Sequence, residues 1–287
     1  MDKALVRRKL ERAAVTYDDA AALQREINAR MLARLDYIKL APSTIVDLGA
    51  GTGLASRSLR KRYRGSQLLM LDFSAPMLRQ AQNKFGRFRR PWALAGDAEC
   101  VPLRDGCADL IYSNMMLEWC TDLDQTLREL RRVLQPDGLL LFSTLGPDTL
   151  RELRASWARV DDRPHVHAFI DMHDIGDALL RAGFADPVMD MEMITMTYSD
   201  IRQLAGDLRS LGMSNALYAR GRGLMGKRCW QRMVDAYETW RGADGLLPAS
   251  FEVVYGHAWA AERVAHGDST EARIAIDQIG RAGKRKS

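Results

Sequence analysis

The stretch Ile45-Val-Asp-Leu-Gly-Ala-Gly-Thr-Gly53 constrains this chain more than any other. Ile45, Val46 and Leu48 form an apolar run with Asp47 near its end, and glycines follow at positions 49, 51 and 53. Leu54 to Tyr63 then has the character of a helix. Strand, glycine turn and helix in this order build a ligand cradle. Glycine permits positive φ and lets the backbone come close to a ligand. The helix that follows offers free N–H groups and a positive dipole end. A nicotinamide dinucleotide fingerprint, G-x-G-x-x-G, needs its third glycine at position 54, where Leu54 stands. No Gly-Lys-Ser/Thr follows, as a P-loop requires.

Acids complete the pattern. Gln67 to Leu71 is a second apolar strand closed by Asp72, 19 residues after Gly53, where a carboxylate can take both hydroxyls of a ribose. Asp97 follows a third strand, Trp92 to Ala95, and Asn114 follows a fourth, Asp109 to Ser113. These residues fall at the carboxyl ends of successive strands, where ligands of open α/β sheets bind.

The set Val46-Asp-Leu-Gly-Ala-Gly-Thr-Gly53, Leu71-Asp-Phe-Ser74 with Pro76-Met-Leu78, Gly96-Asp-Ala-Glu99 and Leu134-Gln-Pro-Asp-Gly138 resembles a class I S-adenosylmethionine-dependent methyltransferase over roughly Ile45 to Thr144. The resemblance implies an α/β, Rossmann-like fold: a seven-stranded, mostly parallel sheet with helices on both faces and a helical lid. It implies S-adenosylmethionine as cofactor. The turn Gly49–Gly53 would pack on the methionine part, Asp72 on ribose, Phe73 and Met77 beside adenine, and Asp97 with Ala98 at the adenine edge. Asp47 and Asn114 join them as candidate cofactor residues.

The remaining chain divides around this core. A helical cap at 1–42 precedes a core at 43–145 and 184–260, with helical insertions at 146–183 and 199–246 and a basic tail at 261–287. In the cap, Leu23, Ile27, Met31 and Leu35 recur as an amphipathic stripe. Ahead of it stands Tyr17, which either points into the cofactor cleft or anchors the cap. Asp122 and Gln125 resemble a capping box, and Leu123, Leu127, Leu130 and Leu134 line one helix face. Pro136-Asp-Gly138 is expected to turn into a fifth strand, Leu139 to Ser143. Helices are expected at 149–160, at 172–182 with Gly183 as its stop, and at 199–216 with a break near Gly212. A sixth strand is expected over 186–197 and a last one, antiparallel, over 251–259.

Forty-seven per cent of the 287 residues are hydrophobic, enough for one sizeable core. No apolar run approaches the roughly 18 residues that span a membrane, and no signal peptide is visible. Cys100, Cys107, Cys120 and Cys229 show no C-x-x-C spacing, which fits a reducing cytoplasm. His165, His167 and His173 invite a metal, yet His-x-His without a nearby cysteine is a weak ligand signal and methyl transfer needs no metal.

Phe142-Ser-Thr-Leu-Gly-Pro-Asp-Thr-Leu-Arg-Glu-Leu-Arg154, His165-Val-His-Ala-Phe169 and Leu247-Pro-Ala-Ser-Phe-Glu-Val-Val-Tyr255 are similar to the malonyl-acyl-carrier-protein O-methyltransferases of biotin synthesis. His167 stands where that family usually has asparagine. The similarity implies methylation of a malonyl carboxylate, with malonyl-acyl-carrier protein as an acidic partner. Tyr17, Trp119 and His165 are the candidates to hold that carboxylate. The net charge of +5 and the cluster Arg220, Arg222, Lys227 and Arg228 offer a dock. Two alternatives share parts of this pattern: a complex I assembly factor of the arginine-hydroxylase type, and an RNA methyltransferase. Against the second, aromatics do not interleave with the basic cluster, so nucleic acid is not an expected partner.

Overall fold

Apolar strands joined by helices bury both faces of each strand only when the helices cover both sides of a parallel sheet. The computed structural model describes residues 1–86, 90–221, 223 and 225–261. In chain order its elements are α1 (Lys3–Ala13), α2 (Tyr17–Ala20), α3 (Ala22–Arg34), β1 (Thr44–Leu48), α4 (Leu54–Arg62), β2 (Gln67–Asp72), α5 (Ala75–Asn83), β3 (Trp92–Ala95), β4 (Ala108–Asn114), α6 (Leu123–Val133), β5 (Leu134–Leu145), α7 (Arg151–Ala158), α8 (Met172–Arg181), β6 (Ala185–Tyr198), α9 (Ile201–Ser210), α10 (Lys227–Glu238) and β7 (Leu247–Trp259). The strands form one seven-stranded sheet in the order β3-β2-β1-β4-β5-β7-β6. β1 to β5 are parallel, and β7 runs antiparallel to both β5 and β6. This is the Rossmann-like, mostly parallel sheet expected from the sequence.

Side-chain alternation in β1 divides the core between the two faces. Ile45 packs in the cluster that holds Leu23, Ile27, Met31 and Leu35, whereas Val46 and Leu48 pack with Leu127 and Leu130 of α6 and Leu179 of α8. Burying an aliphatic side chain is worth about 1.5–3 kcal/mol. The four-residue stripe therefore fixes the N-terminal segment to the sheet more firmly than the partly exposed Arg30–Glu192 pair, worth at most about 1 kcal/mol. No helix among the described residues is long and apolar enough to cross a membrane.

Three local expectations change. First, Leu134 leaves the helical leucine stripe and opens β5. Ala108 pairs with Leu134 and pairing resumes at Leu110 with Leu139, so residues 135–138 form a bulge with Asp137 at φ 59°. Second, α9 ends at Ser210, because Gly212 at φ 73° breaks the helix and lies against Leu10 of α1. Residues 213–216 are consequently a loop. Third, the capping box is half made. Asp122 accepts from the amide of Gln125 (2.8 Å), but the Gln125 side chain donates to the carbonyl of Glu99 instead. Gly183, at φ 84°, ends α8 as expected. Arg222 and all of the basic tail beyond Ala261 lie outside the described residues.

Candidate active site

β1, β2, β3 and β4 bring their carboxyl ends together, and a cleft of about 680 Å³, counting its open mouth, lies over them. Gly49, Gly51, Asp72, Phe73, Met77, Asp97, Ala98 and Asn114 line it, together with Tyr17 from α2 and Trp119 from a 3₁₀ turn at Leu117–Trp119. Gly49 and Gly51 adopt φ of 72° and 52°, conformations that glycine takes without strain.

Asp72 is fixed from two sides. One carboxylate oxygen accepts from the amide of Gly51 (2.9 Å) and the other from the amide of Ser74 (2.7 Å). Burial raises it to about 6, with those two amides holding it down. Each oxygen keeps an unused lone pair, the acceptor set that a ribose diol needs. Asn114 is clamped as well: its amide donates to the carbonyl of Gln24 (3.2 Å) and its oxygen accepts from the hydroxyl of Ser143 (3.0 Å).

Two of the expected cofactor residues are not in the cleft wall. Asp47 turns beneath the glycine turn, 1% exposed, and accepts from the hydroxyl of Ser56. Burial pushes its carboxyl up to about 7. Gly53 faces α5 instead: a Cβ there would stand 2.9 Å from Ala81 Cβ. Its role is close packing of α4 on α5.

Within the expected helical cap, α1 was not singled out from the sequence, yet it supplies Lys3 and Leu10 to the cleft. Lys3 Nζ pairs with Asp97 (2.6 Å) and Glu99 (2.8 Å), and so closes α1 over the cleft. The signal was present in Asp2, whose side chain caps the helix by accepting from the amide of Leu5 (3.0 Å), and in the apolar spacing Val6, Leu10, Ala13. Met115 and Met116, directly after Asn114, line the cleft as well. Met115 takes φ 54° at the end of β4, a strained turn that spacing does not encode.

A second cleft, about 850 Å³ including its mouth, opens beside the first, and Trp119 belongs to both walls. Leu150, Leu153, Val166, Phe169 and Leu208 make it largely apolar, with Glu118 and Arg209 among its polar members. The helical insertions thus form a lidded chamber next to the cofactor cleft.

The candidate His165 lines this second cleft as a hydrogen-bonded lid histidine. His165 stacks on Trp157 (3.8 Å between centroids) and its Nε2 is bound to Asp161 at 2.8 Å. His167 is the histidine beside Trp119, edge-on at 5.7 Å. Its Nε2 accepts from the amide of Ala216 (3.1 Å), and burial, ahead of Lys9 and the N-terminal charge, lowers it to about 4. His173 is exposed and pairs with Asp171, so the three histidines do not converge. Tyr17 lines the cofactor cleft, and burial raises its phenol, with the charges of Glu118, Asp72 and Asp18 adding to the rise. Its neighbour Asp18 accepts from Thr52 (2.5 Å) and pairs with Lys84, pinning α2 to the glycine turn.

Of the basic cluster, Arg220 is engaged with Asp2 (3.7 Å) and the carbonyl of Leu217 (2.8 Å), whereas Lys227 and Arg228 open α10 exposed. Arg57, Arg60, Lys61, Arg64 and Lys84 surround a second basic hollow, which the sequence reading did not single out.

A glycine turn, a doubly held strand-end acid and an aromatic wall over this sheet order define a class I S-adenosylmethionine-dependent methyltransferase. Residues 46–142 match the methyltransferase domain family. The chain is 51% identical to the malonyl-[acyl-carrier protein] O-methyltransferase of Methylovorus sp., over 93% of each chain, and 48% identical to that of Nitrosospira multiformis, over 90% of this chain and 89% of the relative. The chain belongs to the malonyl-[acyl-carrier protein] O-methyltransferase family. Among solved structures it is similar to the YcgJ protein of Bacillus subtilis (TM-score 0.57, 17% identity, 81% of this chain and 98% of that one). It is also similar to a Haemonchus contortus phosphoethanolamine N-methyltransferase in complex with S-adenosyl-L-methionine (TM-score 0.53, 15% identity, 88% and 57%). The cofactor is S-adenosylmethionine.

Proposed function

We propose that this protein methylates the free carboxylate of a malonyl group carried as a thioester on acyl carrier protein, an early step toward biotin. The observation that carries the reading is the pair of clefts meeting at Trp119, one over the glycine turn and the strand-end acid and one lined by the helical insertions. In it, Asp72 holds ribose, Phe73 and Met77 flank adenine, and Gly49 and Gly51 let the backbone approach the methionine end. Bound there, the cofactor supplies a methyl on a sulfonium, an electrophile that leaves a neutral thioether behind. The acceptor needs no base: a carboxylate with a pKa of about 4 is already ionised at neutral pH. The chain's contribution is to exclude water and to align the two reactants, which supplies roughly 7–11 kcal/mol of a barrier. Trp119 forms the shared wall, and Tyr17 lines the cofactor side with its phenol kept neutral.

The acidic carrier docks on exposed cations, with Lys227 and Arg228 the available members of the expected cluster. Four unpaired cysteines suit a cytoplasmic setting. Incubation with labelled S-adenosylmethionine, malonyl-carrier protein, RNA and cell extract tests the reading. Label should reach the carrier alone and leave as methanol on mild base, as a methyl ester does. Base-stable label on RNA or on another protein would overturn it.

A further inference from the structure

The acceptor is a carboxylate, and the side chain that faces its chamber from the shared wall is another acid. Glu118 sits between Leu117 and Trp119 in the 3₁₀ turn and lines the lid chamber. Thr144 Oγ1 donates to it at 3.3 Å. Among the described residues no cation pairs with it. The titratable groups around it come from four elements. Tyr17 of α2 is neutral, and Asp72, whose charge acts on Tyr17, ends β2. In the 165–169 segment, His165 is held by Asp161, and His167 accepts a backbone amide at Nε2, which keeps it uncharged. Arg209 of α9 stands exposed in the chamber wall.

An ionised Glu118 would meet the substrate carboxylate with no cation paired to it, Arg209 standing exposed in the wall, and two carboxylates sharing one site do not both ionise. A neutral Glu118 has the opposite effect, since an O–H donated to a carboxylate is among the stronger hydrogen bonds. Burial raises Glu118 to about 8, outweighing its backbone and Thr144 bonds. A buried acid kept neutral in order to donate is an established device for holding an oxyanion.

We propose that Glu118 donates its carboxyl O–H to one oxygen of the malonyl carboxylate and so presents the other oxygen to the cofactor cleft. This rests on the malonyl reading above. The proton stays on Glu118 throughout: the free oxygen gains the methyl, the methyl–sulfur bond breaks with its electron pair going to sulfur, and no proton is transferred. The arrangement selects for an acyl chain that ends in a carboxylate. It also loosens the product, because an ester is a far weaker acceptor than an anion.

The test is equilibrium binding of malonyl-carrier protein to the enzyme loaded with S-adenosylhomocysteine, measured from pH 6.5 to 9.5 alongside kcat/KM, with acetyl-carrier protein as the control for general pH effects. Wild-type affinity for the malonyl carrier, relative to the acetyl carrier, should fall by up to about tenfold per pH unit above pH 8. Glu118→Gln keeps a donor of the same shape at every pH. It should bind within about tenfold of wild type at neutral pH, with no alkaline fall. Glu118→Ala should lose about tenfold or more at pH 7 while cofactor affinity holds, the loss of one good hydrogen bond to a charged group. A wild-type alkaline fall that persists in Glu118→Gln, or a Gln variant as weak as Ala, would overturn the assignment. Wild-type enzyme that methylates no malonyl carrier at any pH would instead overturn the proposed function itself.

Discussion

The three glycines of the turn are equivalent in the motif but not in the structure, and alanine at each should separate their roles. All three have positive φ, so each substitution costs about 1–2 kcal/mol from the left-handed backbone alone. A Cβ at Gly51 meets nothing nearer than Gly49 O at 4.0 Å, and Gly51 lines the cleft. Its methyl would occupy ligand space and little else. At Gly53 the Cβ meets Ala81 Cβ at 2.9 Å and its Cα at 3.2 Å, which adds an overpacking cost of about 1–3 kcal/mol. At Gly49 it meets Met116 Cβ at 2.5 Å, and Met116 also lines the cleft. Gly51→Ala should therefore lose about tenfold or more in cofactor affinity, roughly 1.4 kcal/mol, with a stability loss near 1–2 kcal/mol. Gly53→Ala should lose about 2–5 kcal/mol of stability and keep most of its affinity once folded. Gly49→Ala should suffer both. Urea melts read stability and calorimetric titration of S-adenosylmethionine reads affinity. Equal destabilisation by Gly51→Ala and Gly53→Ala, with affinity unchanged in the former, would refute the division.

The strand-end acid should make cofactor binding pH-dependent. Asp72 accepts ribose hydroxyls best as a carboxylate, so affinity should fall by up to about tenfold per unit as pH drops below about 6, and Asp72→Asn should bind weakly without that dependence in titration calorimetry. Asp47 is raised to about 7 in the fold from an ordinary 3.8, so the native state holds its proton longer than the unfolded chain. Stability from this group is complete below about pH 4 and is lost as pH rises to 7; urea melts across that window should show a shallower decline for Asp47→Asn. Reversal of Lys227 and Arg228 to glutamate should slow association with malonyl-carrier protein at low salt and converge with wild type at high salt in stopped-flow measurements. If reversal of Arg57 and Lys61 slows association instead, the basic hollow between α4 and α5 is the dock.

Much of the centre of the fold was legible because its signals are local. Apolar runs with an acid at or beside the last position define β1 and β2, and three glycines admit few backbone paths between β1 and α4. The less legible parts depend on contacts distant in sequence. Nothing near Gly53 announces that Ala81 will press against it, and nothing near Asp47 shows that it will turn toward Ser56 and away from the ligand. In His165-Val-His167 the two rings differ through their surroundings, Trp157 and Asp161 for one and the Ala216 amide for the other. Helix α1 was hidden because its few apolar residues stand among six charged ones, and its purpose, carrying Lys3 to Asp97 and Glu99, exists only in the folded chain. Pro136-Asp-Gly138 misled in the other direction: a turn signature was accommodated as a bulge inside β5.

The central claim is that the cofactor cleft serves a carboxylate held in the neighbouring chamber. Intact-mass analysis of an equimolar mixture of malonyl- and acetyl-carrier protein, after incubation with S-adenosylmethionine and the enzyme, tests it most directly. The malonyl form alone should gain the mass of one methylene, and Asp72→Asn should slow that gain. A mass gain on the acetyl form, or none on either while the cofactor is still consumed, would contradict it.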